Sequence, residues 1–243
     1  MRQAVHSSRR GPCHSADAIC LLFQMVGIGE SPIPTATIRE SFMIKTIILD
    51  LGNVIVPLDF PAAYRAIAPR CGLEPADVPK RFGGTDLVTR FESGQIDPFN
   101  FYQESSALLG LSMSYEEFST AWSTIFVKET FVPERMLVGL SERYRLLLLS
   151  NTNALHIPFL RSTYPLLRHF HHQILSHEVK ALKPHAAMYR AALGHAVGQP
   201  DECFFTDDIL AYVEGARLHG IQAEQFLGLE KLEADLKSRG VAW

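Results

Sequence analysis

"IKTIILDLGNVIVPLDF", residues 44–60, sets the reading of this chain. A largely apolar run rich in isoleucine stops abruptly at Asp50, and Gly52 and Asn53 follow almost at once. Such a run predicts a short strand buried on both faces, the signature of a parallel sheet covered by helices. An acidic residue where that strand ends, next to a glycine, points to a strand exit built for chemistry.

Four further short runs follow, Arg145 to Ser150, His172 to Ser176, Glu202 to Thr206 and Ile221 to Phe226, and three of the five are continuously apolar rather than alternating. Helical patterns separate the later ones, among them "HAAMYRAALGHAV", with Ala187, Tyr189, Ala191 and Leu193 among its nonpolar positions, and "YVEGARLHG", ending at Gly220. The alternation predicts an α/β fold with a doubly wound, Rossmann-like parallel sheet. Ligands of such sheets bind beyond the carboxyl ends of the strands.

Some eighty residues without a strand signal separate the first two runs, far too many for a loop. Stretches such as "DPFNFYQESSALLG" and "SYEEFSTAWSTIF" carry helical spacing, with Asp, Ser and Gly at their ends. The expected organisation is an α/β core of residues 43–61 and 131–243 and a helical cap of residues 62–130, inserted after the first strand as a lid. Residues 1–42 are basic and turn-rich, with one short apolar stretch that Gln24 interrupts. They read as an extension outside the fold, disordered or not native, with Met43 as the native start, in preference to a secretory signal.

The 243 residues are 47% apolar and 20% charged, a soluble globular balance, and the net charge of -3 carries no nucleic-acid footprint. No segment is long and apolar enough for a membrane span. The four cysteines show no C-x-x-C spacing and fit a reducing cytoplasm. The expected partner is a small phosphorylated metabolite, with no nucleic acid and no membrane, for a cytoplasmic monomer or homodimer.

Polar residues gather at the strand exits: Asp50 after the first, Ser150 and Asn151 at the second, Asp207 and Asp208 after the fourth, with Lys183 in the "LKPH" loop beyond the third. An aspartate with an ordinary pKa near ~3.9 is ionised at neutral pH, so Asp50 can attack without an activating base. Attack on a phosphate anion needs its charge neutralised. Mg²⁺ held by Asp50, Asp208 and a backbone carbonyl freed to turn by Gly52 would do so, with Lys183 adding positive charge. Ser150 and the Asn151 amide would donate hydrogen bonds to the phosphoryl oxygens.

Together "DLGNV", "LLLSNTN", "ALKPHAAMY" and "FFTDDILAYVEGA" resemble the four ordered motifs of the haloacid dehalogenase-like hydrolases, over Ile44 to about Phe226. Within them the chain is most similar to bacterial sugar-phosphate phosphatases of the α-D-glucose-1-phosphate phosphatase type. The resemblance implies Asp50 as nucleophile, Ser150 and Asn151 as phosphate binders, Lys183 as charge clamp and Asp208 as metal ligand supported by Asp207. It also implies phosphomonoester hydrolysis through an aspartyl-phosphate.

Many phosphatases of that superfamily carry an aspartate as general acid two residues after the nucleophile, where this chain has Gly52. Its loss would matter least for a sugar 1-phosphate, whose leaving oxygen is the better one, and Asp59 is a candidate substitute. Ile209 and Tyr212 stand where asparagines are expected, which would weaken the support of the metal site. The histidines of "RHFHHQ" read as a solvated loop, and Phe101, Tyr102 and Trp122 as cap core. Two rival readings stay open: a metal-independent 2-haloacid dehalogenase using the same Asp50, and a non-catalytic phospho-ligand or partner-binding protein.

Overall fold

The computed structural model describes residues 43–243, so the readings of residues 1–42 lie outside the described residues. Five strands form one parallel sheet: β1 (Thr46–Leu49), β2 (Arg145–Ser150), β3 (His172–Leu175), β4 (Cys203–Asp207) and β5 (Gln222–Gln225). Their order is β3-β2-β1-β4-β5, with β1 pairing to both β2 and β4, which puts the opening stretch at the centre. All five runs contain a strand; only β2 keeps both expected boundaries, the other four shift by one or two residues, and Asp207 becomes the last residue of β4, pairing with Gln225.

Alternation along these strands builds two cores. Ile47, Leu49, Leu146, Leu148 and Phe204 face one side. Ile48, Leu147, Leu149, Cys203 and Phe205 face the other. Helices cover both sides, so a continuous apolar run is the stable solution where a half-exposed strand would alternate. After β1 come α1 (Phe60–Ile67), α2 (Val78–Gly83), α3 (Leu87–Glu92), α4 (Pro98–Leu109) and α5 (Tyr115–Trp122). Then α6 (Glu134–Arg143), α7 (His156–Thr163), α8 (Ser176–Val179), α9 (Ala186–His195), α10 (Leu210–Arg217) and α11 (Leu229–Ser238) intersperse with the remaining strands. On α9 the buried face is Met188, Tyr189 and Ala192, one helical stripe, whereas Ala191 and Leu193 pack at its margin. None of these helices is long and apolar enough to cross a membrane.

The inserted helices α1 to α5 have a core of their own, which includes Phe82, Phe91, Phe101 and Phe118. Phe101 is fully buried, stacked on Phe91 at 4.0 Å between ring centroids and edge-on to Trp122 at 5.0 Å. Local signals set the helix ends. Asp97 caps α4 by accepting from the Asn100 N–H, and Ser114 and Glu117 close a capping box at α5. Phe101→Ala should lower stability by about 3–5 kcal/mol through the cavity it leaves. Urea unfolding at constant m-value checks this, and a loss below about 1 kcal/mol would show that the insertion repacks without the ring.

Candidate active site

Parallel pairing brings the exits of β1, β2 and β4 to one rim, where Lys183 arrives from the loop between α8 and α9. Its Nζ donates to Asp50 Oδ1 at 2.7 Å, to Asp207 Oδ2 at 2.6 Å and to the Leu149 carbonyl at 3.0 Å. All three side chains are buried. Asn151 positions the lysine: its Oδ1 accepts from the Lys183 N–H at 2.8 Å and its Nδ2 donates to the Lys183 carbonyl at 3.3 Å. The side-chain amide of Asn151 is thus bonded to Lys183 and to the Tyr212 hydroxyl.

Asp50 departs from the sequence reading in its charge. Burial, opposed by Lys183 and reinforced by the neighbouring Asp207, pushes its carboxyl up to about 7. The low pKa of an ordinary aspartate therefore does not describe it. The same two carboxylates hold the Lys183 ammonium above its usual range against the effect of burial.

Asp50, Asp207 and Asp208 each place an oxygen within 4.8 Å of the other two. Three carboxylates around one lysine leave two negative charges, which one divalent cation would balance, and hard carboxylate oxygens are the donors Mg²⁺ takes. The residues present therefore fit that ion. Asp208, raised by partial burial, receives a 3.2 Å hydrogen bond from Asn53 Nδ2, and its carbonyl accepts from Gln225 Nε2 at 2.8 Å. Asp207 Oδ1 accepts from the Ile209 N–H at 2.9 Å. Asn53 thus supplies one support expected from the positions of Ile209 and Tyr212, and it does so at φ 53°, a backbone region that asparagine tolerates.

Gly52 lines the cavity at a φ that any residue adopts; a Cβ there would lie 2.8 Å from Leu58 Cδ1. Space, rather than backbone angle, is what a side chain would contest. Ser150 and Thr152 also line this cavity of about 240 Å³, and the Thr152 hydroxyl is buried without a hydrogen-bond partner among the described residues. Tyr212 completes the wall, its ring 5.2 Å from Lys183 Nζ and its hydroxyl accepting from Asn151 Nδ2 at 3.4 Å.

An adjoining apolar cavity of about 130 Å³ lies among Phe60, Tyr64, Phe82, Val88 and Trp122, and Glu92, Ile125 and His156 line both spaces. Trp122 is therefore a wall of the site as well as part of the insertion's core. Burial pushes His156 down to about 4, so its neutral ring donates from Nε2 to the Trp122 carbonyl and accepts at Nδ1 from Asn153. Asp59 stands outside, capping α1 and paired with Arg65 at 3.0 Å. The histidines of residues 168–173 diverge: His169 bonds Glu134, His171 accepts from the Leu146 N–H, and His172 stacks on His195. Thr152, Asn53, Tyr212 and Glu92 lie outside the sequence-derived set of site residues; Asn53, Thr152 and Tyr212 sit inside "DLGNV", "LLLSNTN" and "FFTDDILAYVEGA", whereas Glu92 carries no such local signal.

No family model matches the chain. It is 28% identical over 173 residues to the D-ribitol-5-phosphate phosphatase of Bacteroides thetaiotaomicron, covering 68% of this chain and 84% of that protein. The crystal structure of a HAD family enzyme from Bacteroides thetaiotaomicron superposes with TM-score 0.70 at 25% identity, over 80% of this chain and 98% of that one. The same enzyme in complex with magnesium and inorganic phosphate gives TM-score 0.67 at 26% identity, over 75% and 93%. A predicted HAD-like family hydrolase from Porphyromonas gingivalis gives 0.69 at 26% identity, over 81% and 98%. Fold and relatives place this chain in the haloacid dehalogenase-like hydrolase superfamily. They reach the superfamily and not the narrower α-D-glucose-1-phosphate phosphatase type.

Lys183→Met should cost about 3–5 kcal/mol at pH 8 in EDTA, because it leaves buried carboxylates without their cation. The sign with pH follows from Asp50. Without Lys183 its folded pKa rises further above the unfolded ~3.9, so the variant loses stability as pH rises and its deficit shrinks towards pH 5. Denaturation at the two pH values checks this, and equal deficits would refute the account.

Proposed function

We propose that the protein is a Mg²⁺-dependent phosphatase that hydrolyses a small phosphomonoester of the sugar- or polyol-phosphate class through an aspartyl-phosphate on Asp50. The buried bridge from Lys183 to Asp50 and Asp207, beside a third carboxylate on Asp208, is the observation that carries this reading. The phosphatase name of the curated relative and the magnesium and phosphate complex of the solved one support it.

Asp50, Asp207, Asp208 and the Gly52 backbone would hold the ion. When bound, Mg²⁺ supplies charge neutralisation for the phosphoryl oxygens and favours the ionised form of Asp50. Lys183 holds one Asp50 oxygen in place, which leaves the other as the attacking atom. The Ser150 and Thr152 hydroxyls and the Asn151 backbone N–H then meet the phosphoryl oxygens. The inserted helices form the cap, whose apolar wall of Phe60, Phe82 and Trp122 suits the C–H faces of a small sugar or polyol and keeps water from the leaving group. A sugar 1-phosphate and a polyol phosphate both fit this description. Dehalogenation uses the same fold, since an L-2-haloacid dehalogenase from Xanthobacter autotrophicus superposes with TM-score 0.56 at 18% identity, but that reading leaves the Asp207 and Asp208 pair without a task.

Asp50→Asn should reduce Mg²⁺-dependent hydrolysis of p-nitrophenyl phosphate by more than about 10³-fold while leaving the melting temperature near that of the parent. Activity retained within tenfold would sink the assignment. EDTA should abolish turnover, and added Mg²⁺ should raise the melting temperature of the parent more than that of Asp208→Asn. Turnover indifferent to chelation would favour the dehalogenase reading.

A further inference from the structure

Expulsion of an alkoxide from a phosphate ester is slow unless a proton reaches its oxygen, a step for which a positioned acid contributes about 10²- to 10⁴-fold. Gly52 offers no side chain beside Asp50, and the carboxylates already placed in the site are engaged. Asp207 is bound by Lys183 and Ile209, Asp208 by Asn53, and Asp59 lies outside the cavity with Arg65. His156 uses both ring nitrogens on Asn153 and Trp122. Glu92, the last residue of α3, is different: it lines both the reacting cavity and the apolar one, where a leaving group would lie.

Its backbone is latched to the catalytic rim. Ser176 Oγ lies 2.7 Å from the Glu92 carbonyl and 2.8 Å from the Thr152 carbonyl, which share its one proton, and it accepts from the Thr152 N–H at 2.9 Å. Two residues on, Gly94 turns the chain at φ 64° so closely over α8 that a Cβ would collide with the His177 carbonyl, and Lys180 Nζ donates to the Gly94 carbonyl at 2.7 Å. The glutamate is thereby held over Thr152 by α8, the helix that follows β3. No hydrogen bond or ion pair engages its carboxyl among the described residues.

We propose that Glu92 is the general acid that protonates the leaving oxygen and the base that then activates water. The inference rests on the phosphatase reading above. In the first step an Asp50 oxygen forms the new P–O bond, the ester P–O bond breaks, and the Glu92 proton passes to the departing oxygen. In the second, water forms a P–O bond and gives its proton to Glu92 carboxylate, while the bond to Asp50 breaks and its electron pair returns to the aspartate.

The carboxyl is suited to both steps, since burial without a compensating charge pushes it up to about 7. The groups around it are Tyr212, Lys183 and Asp208 across the reacting cavity and His156 and Tyr64 on the apolar side. His177 and Lys180 lie behind it at Gly94, and on α4 Glu104 is paired with Arg90.

The test compares phenyl phosphate, which leaves as a weakly acidic phenol, with 2,4-dinitrophenyl phosphate, whose phenolate leaves without a proton. In Mg²⁺, Glu92→Gln should lower kcat/KM for phenyl phosphate by about 10²- to 10⁴-fold and for the dinitrophenyl ester by less than tenfold. The dinitrophenyl ester should then show a burst of one phenolate per site, because hydrolysis of the phosphoenzyme has lost its base. Glu92→Asp should restore part of the phenyl phosphate rate. In the parent, kcat/KM for phenyl phosphate should fall as pH rises through about 7, while that for the dinitrophenyl ester stays flat, a readout independent of how the variants fold. Equal losses on both esters, or parallel pH profiles in the parent, would overturn the assignment. A parent inert towards both esters would overturn the phosphatase reading itself, and this inference with it.

Discussion

An ammonium group sealed between two buried carboxylates, with a strand carbonyl as its third partner, ties together most of this molecule. Lys183 reaches Asp50 at the end of β1, Leu149 in β2 and Asp207 at the end of β4, so one side chain bridges the three central strands where they leave the sheet. Burying one such charge alone would be prohibitive, and burying them together is tolerable only because each has a close partner of opposite sign. The residual negative charge of the cluster is then a property of the fold, and it is what makes a divalent cation fit.

The helical insertion acts on the same rim from the other side. Its aromatic core stiffens α3 through the Phe91 and Phe101 stack, and the next residue after Phe91 is Glu92. Two hydrogen bonds between insertion and core bear on the site: His156 to the Trp122 carbonyl, and Ser176 to the Glu92 carbonyl. Each joins the first residue of a core helix, α7 or α8, to the last residue of an insertion helix that walls the apolar cavity. The walls of the apolar cavity and the placement of Glu92 thus depend on the same contacts.

Glycine at position 52 connects these two halves. It leaves the space beside Asp50 to Leu58 rather than to an acidic side chain, and Asn53, which follows in a left-handed conformation, turns its amide onto Asp208 and its oxygen towards the Leu58 N–H. A motif that looks depleted beside Asp50 is, in three dimensions, one that supports the acidic cluster through its next residue.

The sheet was legible along the chain because its central strands β1, β2 and β4 are declared by their own residues, short apolar runs buried on both faces that end at a turn former or a charge, while the edge strands β3 and β5 are more polar and partly exposed. Asp50, Ser150, Asn151, Lys183, Asp207 and Asp208 were legible for the same reason, since parallel pairing sends every strand's carboxyl end to one rim. Electrostatics and the reach of the insertion were not. The charge state of Asp50 depends on Lys183, 133 positions away, and on how far both are withdrawn from water, which no local pattern encodes. Glu92 sits in "RFESGQ" as an ordinary glutamate at the end of a short helix, indistinguishable from a solvated one. It becomes a cavity wall because Ser176, 84 residues on, holds its carbonyl, and contact between segments so distant in sequence is a consequence of packing alone.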